Sequence, residues 1–164
     1  MKRVTLITIC AALIFPAIVF LSCVSEASAR EGGAVFSDVE EKELFLSEVK
    51  SAGKITHIDR ISLEADSMGW VYSISFHANE GRVSGMGAPN RFFGPYTVDA
   101  NRNLSIGNLA STLMMAIKEP EDLKEHEYFR YLSTVTRWDI REGKLELYGS
   151  GGNGIEVLLV FVPK

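Results

Sequence analysis

A chain of 164 residues, 46% hydrophobic and 23% charged, has room for one domain with its own apolar core. Its formal net charge is −4, from 17 basic and 21 acidic residues, and no basic cluster lies along it. That balance argues against nucleic acid as a partner, and against simple electrostatic docking to anionic lipid.

The N-terminus has the three-part layout of an export signal. Met1-Lys2-Arg3 is positive, Val4 to Leu21 is an almost unbroken apolar run, and a small-residue stretch follows at 22–29. Two cleavage sites compete. Ala27-Ser28-Ala29 would leave a chain starting at Arg30. Phe20-Leu21-Ser22-Cys23 resembles a lipobox, with the signal ending at residue 22 and Cys23 lipidated. Residues 30–42 then read as a flexible linker and 43–164 as the domain. Cys10 and Cys23 are the only cysteines, so either cleavage leaves the domain without a free thiol or a disulfide.

Period-two patterns dominate from residue 43 onward. "LFLSEV" and "ITHIDRISL" read as one hairpin around Ala52-Gly53. In "GWVYSISFH", Trp70, Tyr72, Ile74 and Phe76 share one face, and Val71, Ser73, Ser75 and His77 the other. Gly81 supplies a positive φ to the turn before "RVSG". Tyr96 and Val98 alternate up to a polar turn at 99–103, after which Leu104 and Ile106 resume. Trp138 and Ile140 lead through Glu142-Gly143 to Leu145 and Leu147. "IEVLLVFVP" reads as a strand buried on both faces.

One segment reads as helix, "KEPEDLKEHEYFRYLSTV", with Pro120 at its first position. Tyr128, Tyr131, Leu132 and Val135 form its apolar stripe, while Lys124, Glu125 and Glu127 face water. The expected fold is mainly β (α+β), an antiparallel barrel of about eight strands with one helix before the last three.

Several patterns suggest chemistry and lack the context for it. "GSGGNG" at 149–154 matches a dinucleotide fingerprint, but a strand follows where the phosphate-binding helix is required. His57, His77 and His126 fall on three different elements at no metal-ligand spacing. Ser84 lies in no nucleophile elbow. Met114-Met115 is either core filling or an adaptable binding surface. In "SGMGAPNRFFGPY", Gly85, Gly87 and Gly94 are expected to permit bends and Phe92 and Tyr96 to enter the core. Asn90 is expected to bond back to its loop. Arg91 and Phe93, on the opposite face, are the candidate binding surface.

These blocks carry a resemblance. "GRVSGMGAPNRFFGPYTVD", "LSIGNLASTLMMA" and "YLSTVTRWDIREGKLELY" are similar, in order, to the META domain family, which includes the HslJ heat-shock proteins. Gly81, Val83, Gly85, Asn90, Phe92, Gly94 and Tyr96 fill the first motif, Thr112 the second, and Glu125, Leu132, Val135 and Trp138 the third. Pro89 and Ala116 stand where the family often has a cysteine pair, which the resemblance implies to be a disulfide. The missing pair speaks against a redox role and suggests that Pro89 stiffens the loop instead. The resemblance implies a lipocalin-like barrel, export, frequent lipidation, and an association with heat and envelope stress or drug tolerance. It brings no catalytic residue and no cofactor. The leading expectation is a non-enzymatic, periplasmic or outer-membrane-anchored protein that binds an envelope protein or a small apolar ligand. The alternatives are a pilot or chaperone for an outer-membrane component, and a hydrolase using Ser84 or His57.

Overall fold

A computed structural model describes residues 34–164 apart from Ile117, Gly152 and Asn153. The expected export signal, both cysteines and both expected cleavage sites lie outside the described residues.

The elements run β1 (Leu44–Ser51), β2 (Lys54–His57), α1 (Arg60–Ala65), β3 (Ser73–His77), β4 (Arg82–Met86), β5 (Arg91–Val98), β6 (Leu104–Ile106), β7 (Ala110–Ser111), α2 (Glu125–Ser133), β8 (Val135–Arg141), β9 (Lys144–Ser150) and β10 (Glu156–Pro163). Eight strands pair antiparallel in the order β6-β5-β4-β3-β1-β10-β9-β8, with β2 added to β1 and β7 to β5. The two ends of that order meet. Asn103 bridges to Arg137, and the Trp138 amide donates to the Arg102 carbonyl. The result is a nearly closed barrel with one main helix before the last three strands. Near-closure covers edges that would otherwise pair with other chains.

The barrel is filled by its own side chains. Strand alternation sends Leu44, Leu46, Ile74, Phe76, Val83, Phe92, Tyr96, Leu145, Leu147, Leu159 and Phe161 inward, all buried. Tyr72, Phe92 and Tyr128 pack edge to face near α2. Phe36, Phe76, Tyr96 and Trp138 form a second aromatic cluster towards the opposite end. Burial holds the Tyr72 and Tyr128 phenols well above their ordinary range. Their hydroxyls donate to the carbonyls of Leu123 and Ser73.

Four expectations need correction. The stretch 36–42 is built into the domain: Phe36 and Val39 are buried, and Glu40 accepts from the Tyr96 hydroxyl at 2.7 Å. Trp70 is exposed and lies outside β3, because Tyr72 adopts φ 54° and breaks the alternation there. Arg60–Ala65 is helical rather than strand, capped by Asp59, whose carboxylate accepts from the Ser62 amide. The main helix starts at Glu125, past Pro120, and Val135 already belongs to β8. Glu119 nevertheless serves that helix by accepting from the Glu125 amide at 2.8 Å.

Candidate functional site

The turn between β4 and β5 is held by a carboxylate from α2. Glu125 was expected to face water, but it points inward. Its Oε1 accepts from the amides of Ala88 and Asn90, both at 2.6 Å, and its Oε2 from Asn90 Nδ2 at 2.7 Å. Gly87 makes room for it, since a Cβ there would lie 2.5 Å from Glu125 Oε1 and 2.7 Å from the Phe129 ring. Gly85 and Gly94 act in the same way. A Cβ at Gly85 would collide with the Ser73 carbonyl and the Phe92 ring, and one at Gly94 would come within 2.9 Å of the Asn108 carbonyl oxygen. None of the three has a positive φ, so they serve close approach and not bending; Gly81, at φ 57°, is the turn glycine.

Asn90 joins this turn to the segment after β7. Its Oδ1 accepts from the Thr112 hydroxyl at 2.8 Å and the Met114 amide at 2.6 Å, and its Nδ2 also donates to the Met114 carbonyl. Its side chain therefore bonds to distant segments, and only its backbone carbonyl, which accepts from the Gly87 amide at 2.6 Å, bonds within its own loop. Pro89 and Ala116, the positions of the absent cysteines, lie on the two segments that Asn90 holds side by side. Beyond this anchor, Leu113, Met114 and Met115 are 96, 61 and 93% exposed. Three consecutive large apolar side chains in water, on a loop whose root is fixed, form an outward surface and not core filling.

The outer face of β3, β4 and β5 carries a second constellation. Ser75, Ser84 and Phe93 lie directly opposite one another across the three strands, and His77 pairs with Arg82 in the next row. Ser84 Oγ is 2.9 Å from His77 Nε2, and His77 Nδ1 is 3.3 Å from Glu41 Oε2. A cleft of about 410 Å³ opens at Ser84, lined also by Arg82, Met86, Arg91 and Phe93. Arg91 and Phe93, singled out from the sequence, thus share one face. His57, the other residue named for a hydrolase, is on β2, exposed, with Glu48 at 3.7 Å. The role of Glu41 was missed because it lies in the stretch read as linker. The His77–Ser84 contact was legible in principle: the short turn at 78–81 puts His77 and Ser84 diagonally opposite on one face.

The remaining motif residues are structural. Phe92, Tyr96 and Trp138 are buried in the aromatic core. Arg102 lies over the Trp138 ring and pairs with Asp139.

Fold and sites define a small, nearly closed antiparallel β-barrel with a filled interior, whose candidate contact surfaces are external. The META domain profile matches residues 54–160, and the chain belongs to the META domain family. No curated protein matches it. Among solved structures, it is similar to an NMR structure of a protein from Burkholderia xenovorans, with 22% identity, a TM-score of 0.57, and coverage of 85% of this chain and 94% of that one. It is also similar to a crystal structure of a DUF4847 family protein from Bacteroides vulgatus, with 14% identity, a TM-score of 0.51, and coverage of 79% and 96%. These likenesses concern the fold.

Proposed function

We propose that this META domain protein is an exported cell-envelope protein, periplasmic or lipid-anchored through Cys23, that acts in stress or drug tolerance by binding a partner protein. Binding is its role; turnover is not required for it. The observation that carries the reading is the apolar loop Leu113–Met115, exposed on a root fixed by Asn90, Thr112 and Glu125. Such an arrangement keeps an adaptable, Met-containing surface in place while its tip stays in water. The filled interior makes an apolar ligand the weaker occupant, since the aromatic side chains take up the space it would need.

The loop lies far from the point where the chain enters the domain. The chain enters the domain at the Phe36 end, beside Tyr96 and Trp138. The loop sits at the Arg91 end of β5, and eight strand residues span roughly 25 Å. The loop and the Phe36 end therefore lie at opposite ends of β5. A partner that is itself an outer-membrane component, as in a pilot or chaperone role, fits this arrangement as well.

A photo-crosslinking residue placed at Leu113 or Met115 in cells is expected to give a discrete protein adduct that the same probe at exposed Ile61 does not give. Identical adduct patterns at all three positions would refute the loop as the contact. The intact mass of the natively isolated protein tests the anchor: a start at Arg30 without acyl chains removes the lipoprotein reading.

A further inference from the structure

Ser84, His77 and Glu41 play no part in the binding role and do not belong to the apolar loop. Their geometry is ordered nonetheless. Glu41 adopts φ 58°, a left-handed backbone that non-glycine residues take at a cost. It is held there by its own amide, which donates to the Phe76 carbonyl at 2.9 Å. Its Oε1 accepts from the Ala78 amide at 3.0 Å, which leaves Oε2 for His77 Nδ1. The imidazole tautomer protonated on Nδ1 satisfies the carboxylate and presents a bare Nε2 lone pair to the Ser84 hydroxyl at 2.9 Å. The chain of contacts therefore runs carboxylate, imidazole, hydroxyl, in the order that activates a serine. The hydroxyl opens on the 410 Å³ cleft, where Arg91 brings positive charge, Glu43 negative charge, and Met86 and Phe93 apolar surface, while Arg82 is paired with Glu80 at 2.7 Å.

We propose that Ser84 is an activated nucleophilic serine that accepts an acyl group from a carboxylic ester with an apolar acyl part. Ser84 Oγ attacks the ester carbonyl carbon and its proton passes to His77 Nε2. The bond from that carbon to the alcohol oxygen then breaks, and the imidazolium returns the proton to the departing alkoxide. The products are the Ser84 acyl ester and a free alcohol. The Arg91 guanidinium, on the cleft lining, supplies positive charge for the developing oxyanion. His77 acts as base, and Glu41 is a positioning residue that holds the imidazole tautomer.

The test uses the full exported protein with p-nitrophenyl butyrate and, separately, an alkyl fluorophosphonate. Released nitrophenol is followed together with the intact mass and the mapped adduct. One adduct is expected, on Ser84, absent in Ser84→Ala and formed at least roughly 100-fold more slowly in His77→Gln. The ¹⁵N shifts of His77 are expected to report a proton on Nδ1 in the parent and mixed tautomers in Glu41→Gln. Absence of an adduct, an adduct on another residue, or an equal rate in folded His77→Gln overturns the proposal. Leu113→Asp and Met115→Asp are expected to lose the cross-linked partner and keep the Ser84 adduct, so failure of one site is distinguishable from failure of the other.

Discussion

Replacing Glu125 tests the carboxylate that holds the β4–β5 turn. Its carboxylate accepts three hydrogen bonds, two from backbone amides of the β4–β5 turn and one from Asn90 Nδ2. Hydrogen bonds to a charged group contribute about 1.5–3 kcal/mol each, and the half-buried site lets water recover part of that when the group is removed. Glu125→Ala is therefore expected to cost about 3 kcal/mol. Glu125→Gln keeps an acceptor for the two amides and loses the Asn90 Nδ2 bond, so about 1–1.5 kcal/mol is expected. A second substitution checks the geometry. A Cβ at Gly87 would meet Glu125 Oε1 at 2.5 Å and Glu125 Cγ at 2.9 Å. Gly87→Ala should thus cost less in the Glu125→Ala background than in the parent, with a coupling of about 1 kcal/mol. Urea unfolding of the parent and the four variants, the double variant included, monitored by circular dichroism, gives these values from midpoints and slopes. If Glu125→Ala unfolds within about 0.5 kcal/mol of the parent, the turn holds itself and the reasoning fails. Strict additivity with Gly87→Ala would place the two groups apart.

Phe36→Ala is expected to cost about 3 kcal/mol and to change Trp138 fluorescence, because the ring packs 5.1 Å from Trp138 and 5.0 Å from Phe76; an unchanged denaturation midpoint would return residues 36–42 to the linker. Burial by itself would raise the Asp139 carboxyl, but hydrogen bonds from Arg141 and the Ile140 amide and the charges of Arg102 and Arg141 outweigh it and hold it below the ordinary value. Its folded value is the lower one, so its stabilisation is present at neutral pH and fades as pH falls through about 4 and below. Asp139→Asn should therefore cost about 1–3 kcal/mol at pH 7, with two half-exposed arginine partners, and progressively less in acid; a pH-independent difference would exclude the ion pair as the cause. Ala52 sits at φ 53° ahead of Gly53 at φ 75°, a two-residue hairpin turn with both residues left-handed. Ala52→Asn is expected to stabilise the protein by about 0.5–1 kcal/mol in the same unfolding assay, and a loss of stability would contradict the assigned turn.

Much of the fold was legible because strand alternation is a local signal. The inward faces of β5, β8 and β9 follow from period two, and the turns at Ala52-Gly53, Gly81 and Glu142-Gly143 from their glycines, which tolerate positive φ. Errors arose where a local signal was overridden by tertiary contact. Pro120 and its acidic neighbours look like a helix start, yet the chain there supplies the Leu123 carbonyl to Tyr72 and the Glu119 carboxylate to α2. Tyr72 reads as mid-strand but takes a left-handed backbone, and its carbonyl accepts from the Leu46 amide.

The sites divide in the same way. Residue types and order by themselves determined a barrel with one helix, the placement of Arg91 and Phe93 on one outer face, and the motif residues Asn90 and Thr112. Tertiary structure alone decided what those residues touch. Asn90 meets Thr112 and Glu125 across 22 and 35 residues of sequence, and Glu41 reaches His77 across 36. A local pattern fixes which side of a strand a residue occupies, through backbone geometry shared by its immediate neighbours. Which distant side chain arrives there depends on strand order and closure, and these are set by the packing of the whole core.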